Sequence, residues 1–303
     1  MDSKSILDNI KCDFFIPKIF DFMQKNIALN IAKYNKILQK KLNITIKNFS
    51  DFKDLYFTTK IEITPIKNKY GKFINIYEDD KEYYHIYFND NKEEIKNKYS
   101  INEEDKVTKI KISIDYNVES LKGLFNRCNC IETINFKNYC RKDNCIENIF
   151  SGCSSLKEIS VSNFYKNSIT AMNSSFSGCS SLQKVNLCNF YNNSITNVNL
   201  TFSGCTSLKE VNAYNFFGNR ITTLNKTFFG CTSLQKLNFS NFQNNRITVV
   251  DSTYSGCSSL SELNASNFNG NSITSIKNTF VGCNSLKKIN YSNFQKNFNW
   301  KYF

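Results

Sequence analysis

Over the last two thirds of the chain, apolar residues recur at fixed offsets from a cysteine that returns every 26 residues, as Cys153, Cys179, Cys205, Cys231, Cys257 and Cys283. Each of these cysteines follows a glycine, and Leu stands at the third position after it (Leu156, Leu182, Leu208, Leu234, Leu260, Leu286). An aliphatic fills the sixth position (Ile159, Val185, Val211, Leu237, Leu263, Ile289), and another apolar column the eighth (Val161, Leu187, Ala213, Phe239, Ala265, Tyr291). Alternation at the sixth and eighth is the two-residue period of a strand with one face inward, so each repeat is expected to give one short strand. Phe follows at the eleventh position. A second apolar run then passes through Ile169, Ile195, Ile221, Ile247 and Ile273 to Phe176, Phe202, Phe228, Tyr254 and Phe280. A fixed period of this kind predicts coils that pack on their neighbours. One coil alone buries too little apolar surface to offset the ordering of its backbone.

The polar positions refine this picture. Glycine before each cysteine suits a tight corner with positive φ, and Asn at the tenth and fourteenth positions suits turns. At the fifth position the series reads Glu158, Lys184, Glu210, Lys236, Glu262, Lys288, which sets opposite charges side by side on an exposed sheet face as a structural ladder. Each such pair contributes only a few tenths of a kcal/mol. Like charges there would repel, so the alternation helps to fix the stacking register.

Ahead of the array the pattern changes. Between Leu55 and Asp115 the segments LYFTTKIEITPI, GKFINIY, EYYHIYF and KVTKIKISID alternate apolar and polar residues, which predicts a small antiparallel sheet. Residues 4 to 42 read as helices, with Ile27, Ile31, Tyr34, Leu38 and Leu42 at helical spacing. The expected fold is therefore α+β: a helical segment over 1–50, a small β-rich capping domain over 51–117, and over 118–303 a leucine-rich-repeat-like solenoid with a parallel β-sheet of about seven coils. The array begins with an imperfect coil of 25 residues, from Cys128 to Cys153.

At the residues FSGCSSLKEISVSNFYKNSITAMNSSF and their successors the chain resembles the BspA-type leucine-rich repeats, whose unit reads like FxGCxSLxxLxLSNF. This resemblance implies a recognition protein, often cell-surface or adhesive, with no enzyme activity. The segment IPKIFDFMQKNIALNIAKYNKILQKKL, within residues 13–42, resembles an F-box, which implies a Skp-type adaptor docked on the N-terminal helices and a ubiquitin-ligase substrate receptor.

Cysteine usage and the remaining chemistry point the same way. The regular cysteines stand beside Gly and Leu and read as small buried thiols in a reducing compartment, although stacked cysteines are close enough for disulfides. Cys128, Cys130, Cys140 and Cys145 form an irregular group whose spacing does not fit a zinc site, so no metal and no cofactor are expected. The one histidine, His85, falls in an alternating strand pattern, and no phosphate loop or carboxylate motif accompanies it. An enzyme is not expected. The opening MDSKSILDNIKC has no secretory apolar run, and no stretch is long enough to span a membrane, so an intracellular, cytoplasmic location is the expectation.

Net charge is +13 over 303 residues, and residues 121–303 contribute +11, with 18 Lys and Arg against 7 Asp and Glu. A basic balance favours acidic partners, nucleic acid included, but the basic residues are scattered and not gathered in a stripe. A protein or peptide ligand is the leading expectation. Its candidate site is the edge just past the strand, where Tyr165, Tyr191 and Phe217 precede the polar Gln243, Asn269 and Gln295, with Tyr214, Arg220 and Arg246 alongside.

Overall fold

The computed structural model describes Lys40 and residues 58–115, 118, 120–139, 145–161, 169–186, 195–212, 220–238, 246–264 and 272–290. The chain falls into two units, Met1–Thr58 and Thr59–Phe303. The helical segment and the F-box-like stretch lie outside the described residues, Lys40 apart.

Among the described residues the fold is mostly β. Five short strands come first: β1 (Thr58–Pro65), β2 (Gly71–Lys72), β3 (Tyr84–Phe88), β4 (Ser100–Ile101) and β5 (Ile110–Asp115). The alternation in β5 is realised side chain by side chain, with Ile110, Ile112 and Ile114 buried and Lys111, Ser113 and Asp115 half-buried. In GKFINIY only Gly71 and Lys72 are strand, paired antiparallel with β4. Phe73 and Ile74 are both fully buried, which a strand with one wet face does not allow. The segment leaves the sheet to close the start of the array. Asn75 donates its backbone N–H to the Leu124 carbonyl at 2.7 Å and its side-chain amide to the carbonyls of Gly123 and Asn126 at 3.2 and 2.9 Å.

Each repeat then supplies one strand: β6 (Ile131–Asn138), β7 (Glu158–Val161), β8 (Lys184–Asn186), β9 (Glu210–Asn212), β10 (Lys236–Asn238), β11 (Glu262–Asn264) and β12 (Lys288–Asn290). From β6 to β7 and within the later groups these pair in parallel with residues 25 or 26 apart facing each other, such as Ile134 with Ile159 and Val185 with Val211. The expected single sheet is not what forms among the described residues. The strands group as β6 and β7, β8 and β9, and β10 to β12. Most of the repeat strands are three residues long, so a small shift between coils is enough to lose the ladder bonds that define a pair. Sheet order β3-β5-β1-β6-β7 joins the leading sheet to the array, because β1 runs antiparallel along β6.

Continuity comes from elsewhere in the coil. Single parallel bridges link Cys145, Ala171, Asn197, Thr223, Val249 and Ser275 without a break. Phe125, Phe150, Phe176, Phe202, Phe228, Tyr254 and Phe280 form one stack, with successive ring centroids 5.3 to 6.0 Å apart and planes within 27° of parallel. Their faces are offset by the chain's own repeat, so each ring adds apolar burial and stacking to the next. The corner glycines stack too. Gly204 has φ +74, and a Cβ there would meet Gly178 Cα at 3.6 Å, so a side chain is excluded mainly by the left-handed backbone.

Two buried columns bond one coil to the next. Each cysteine thiol donates to a carbonyl of the preceding coil, from Cys153 to Phe125 at 2.8 Å through Cys283 to Tyr254 at 3.0 Å. Ser175, Thr201, Thr227, Thr253 and Thr279 are at most 3% exposed. The hydroxyl of Thr227 lies 2.8 Å from the Leu224 carbonyl and 3.2 Å from that of Val198 in the coil before, sharing its proton between them. A buried hydroxyl without such partners would be costly.

Candidate interaction surface

The fifth-position charges sit at the start of their strands and are exposed, except Glu262, which is half-buried. Lys184 pairs with Glu210 at 3.1 Å, and Glu262 with both Lys236 and Lys288 at 3.6 Å. All three pairs fall within hydrogen-bonded strand groups. Glu158 and Lys184 stand on β7 and β8, and Glu210 and Lys236 on β9 and β10, either side of the two places where the sheet is interrupted.

Of the residues expected to bind, Tyr165, Tyr191, Tyr214 and Phe217 lie outside the described residues. Arg220 and Arg246 are exposed, one coil apart at the same position of the repeat.

A second surface escaped the sequence reading. At the twenty-first position after the cysteine, the twentieth in the first coil of 25 residues, the backbone is left-handed in every described coil, at Asn148, Ser174, Leu200, Lys226, Ser252 and Asn278. Polar residues suit that exposed corner, yet Leu200 and Lys226 interrupt the series. Three residues on, the column reads Ser151, Ser177, Ser203, Phe229, Ser255, Val281. Leu200, Phe229 and Val281 are 37%, 41% and 54% exposed. Leu200 N–H donates to the Asn225 carbonyl at 3.1 Å, which sets Leu200 beside Lys226 in the next coil. Phe229 N–H returns to the Lys226 carbonyl at 3.2 Å, and the Lys226 ammonium lies 6.0 Å from the Phe229 ring centre, the reach of a cation–π contact. Of the two carboxylates at the position before the left-handed corner, Glu147 pairs with Lys122 at 3.0 Å, and Asp251 accepts from Ser275 Oγ at 2.6 Å and Lys277 N–H at 2.7 Å. The signal in the sequence was a serine column broken by Phe and Val, legible only once the corner is known to face outward.

The chemistry-bearing groups are placed as follows. His85 Nδ1 lies 3.2 Å from Glu94 and Nε2 3.7 Å from Asp115, between two carboxylates on opposite sides of the ring. The described cysteines are free thiols. Burial pushes Cys153 and Cys257 up to about 12 and Cys283 to about 11, with Cys179, Cys205 and Cys231 well above the ordinary thiol range. Protonated thiols are poor nucleophiles and poor metal ligands. Among the described residues no group of three or more His, Cys, Asp or Glu side chains is arranged to hold a metal ion, and no helix is long and apolar enough to cross a membrane. Cys140 lies outside the described residues.

Parallel strands one per repeat, with a buried leucine column behind them, define a leucine-rich-repeat-like protein. Residues 119–219 and 209–302 match the family described as "Mycoplasma protein of unknown function, DUF285", and the chain belongs to that family. A crystal structure of a leucine rich cell surface protein from Faecalibacterium prausnitzii A2-165 is similar over 59% of this chain at 20% identity, with a TM-score of 0.33. The similar region spans 59% of that protein's length. No curated protein matches.

Proposed function

We propose that residues 118–303 form one continuous solenoid of about seven coils that serves as a non-enzymatic scaffold for recognising a protein or peptide. One observation carries this reading: the frame is constant while the outward corner varies. Leu, Cys, the hydroxyl column and the aromatic stack recur in coil after coil with the same partners. At the outward twenty-fourth position Ser gives way to Phe229 and Val281 with no change in the fold beneath. A frame that tolerates outward substitution presents a surface of adjustable composition over many coils.

The test is photo-crosslinking in the source cell, with a crosslinking residue placed in the full chain at Ser151, Ser203, Arg220, Arg246 or Ser255. A partner held at one set of outward positions, and displaced by excess unlabelled chain, is the expected result. If no position captures a displaceable partner, the recognition reading is wrong.

A further inference from the structure

Resting on that reading, we infer that the corner ridge formed by Leu200, Lys226, Phe229 and Val281 binds an extended acidic peptide carrying large apolar side chains. Three observations converge. Leu200, Phe229 and Val281 are the exposed large apolar side chains among the described residues from 118 onward, and apart from Lys226 the other residues of their columns are Ser or Asn. Exposed aromatic and aliphatic groups gathered on one face are the composition of a binding surface. Lys226 and Lys277 are exposed on the same ridge, whereas the acid between them, Asp251, is engaged by Ser275 and Lys277 N–H. The ridge is therefore apolar and positive, within an array that already carries +11 (18 Lys and Arg against 7 Asp and Glu over 121–303).

Geometry selects an extended ligand. Phe229 and Val281 occupy the same position two coils apart, and at about 5 Å per coil their spacing is about 10 Å. Three residues of a chain in the polyproline-II form cover about 9 Å and bring the side chain back to the same face, so apolar side chains at every third position of a peptide laid along the ridge in that extended form meet both anchors. Carboxylates between them reach Lys226 and Lys277. Nucleic acid fits less well, because Leu200 and Val281 offer no stacking face and two lysines do not make a phosphate-tracking groove.

The probe is a fluorescent 12-residue peptide of Asp and Glu with Leu or Phe at every third position, titrated into the full chain at low salt. Saturable binding is expected. It should weaken at least about tenfold when the acids are replaced by Lys, when Leu and Phe are replaced by Ser, and in the double variant Lys226→Ser, Phe229→Ser. Serine is the residue of both coils flanking Phe229 (Ser203 and Ser255) and of the coil after Lys226 (Ser252), and an unchanged melting curve checks that the fold is intact. The inference fails if the unaltered chain does not bind the peptide saturably or if the double variant binds it equally well. It fails also if a 12-residue oligo-dT binds more tightly at the same residues. Should the double variant still crosslink the partner captured by the unaltered chain, the ridge is wrong and the recognition reading stands.

Discussion

The thiol of Cys205 donates to the carbonyl oxygen of Phe176, 3.0 Å away in the preceding coil. The same carbonyl also accepts the Cys179 N–H at 3.1 Å, so the sulfur adds a second donor to an oxygen that the turn already satisfies. Cys205→Ala removes that donor and leaves a small void, with an expected loss of about 1 to 2 kcal/mol. Urea denaturation of the variant against the parent checks it. An unchanged midpoint would mean that the sulfur only fills space that the coil can close.

Stability should fall steeply on the alkaline side. In the unfolded chain these thiols ionise near their ordinary value, about 8.5, whereas burial raises them to about 12 for Cys153 and Cys257 and about 11 for Cys283. Above the unfolded value the unfolded state holds fewer protons than the folded one, so ΔG of unfolding decreases with rising pH. The thiol contribution is complete below about pH 8.5 and is lost progressively toward pH 11 to 12. Denaturation at stepped pH values from 8 upward should give a downward slope. Replacing Cys153 and Cys257 by Ala should make it shallower.

Leu200 sits at φ +59, a conformation that costs a β- or γ-branched side chain energy and costs Asn much less. Asn148 and Asn278 occupy the equivalent corners. Leu200→Asn should raise the melting temperature, by about 0.5 to 1 kcal/mol of stability. A lower melting temperature would show that the exposed leucine is packed more productively than its 37% exposure implies.

Charge reversal at Lys236 breaks its pair with Glu262 and puts acids on three successive strands, β9 to β11. The expected loss is a few tenths to about 1 kcal/mol at low ionic strength, shrinking in high salt because these groups are solvated. Melting Lys236→Glu at low and high salt measures both effects. Reversal of Glu210 should be milder than that of Glu262, since Glu262 contacts two lysines and Glu210 one.

Columns that are apolar in every repeat were legible in the chain, because Leu156, Ile169 and Phe176 have no reason to recur except a shared interior. The hydroxyl column was not. Nothing in the sequence marks Thr201 and Thr227 as buried, because only the carbonyls of the coil before make their burial favourable. Likewise, the unbroken bridge from Cys145 to Ser275 joins residues as unlike as Ala171, Asn197 and Val249, since a backbone pair there asks nothing of the side chain. The two interruptions of the strand ladder were not legible, because the strands on either side of them carry the same kinds of residue as the strands that pair. At the candidate surface, Arg220 and Arg246 were readable as exposed by their polarity. Phe229 was not, because an aromatic in a repeat looks like core until its corner is seen to face outward.

The antiparallel run of β1 along β6 makes the two sides of that strand inequivalent. A coil can be duplicated or deleted anywhere downstream of β6 and still meet neighbours of the same shape, 26 residues before and after. Upstream it cannot, because β1 points the wrong way to accept another parallel strand and Asn75 already occupies the carbonyls of the first turn. Change in the number of repeats is thereby confined to one direction of the chain. Relatives of different length should align from β1 through β6 and differ by whole multiples of the repeat beyond it.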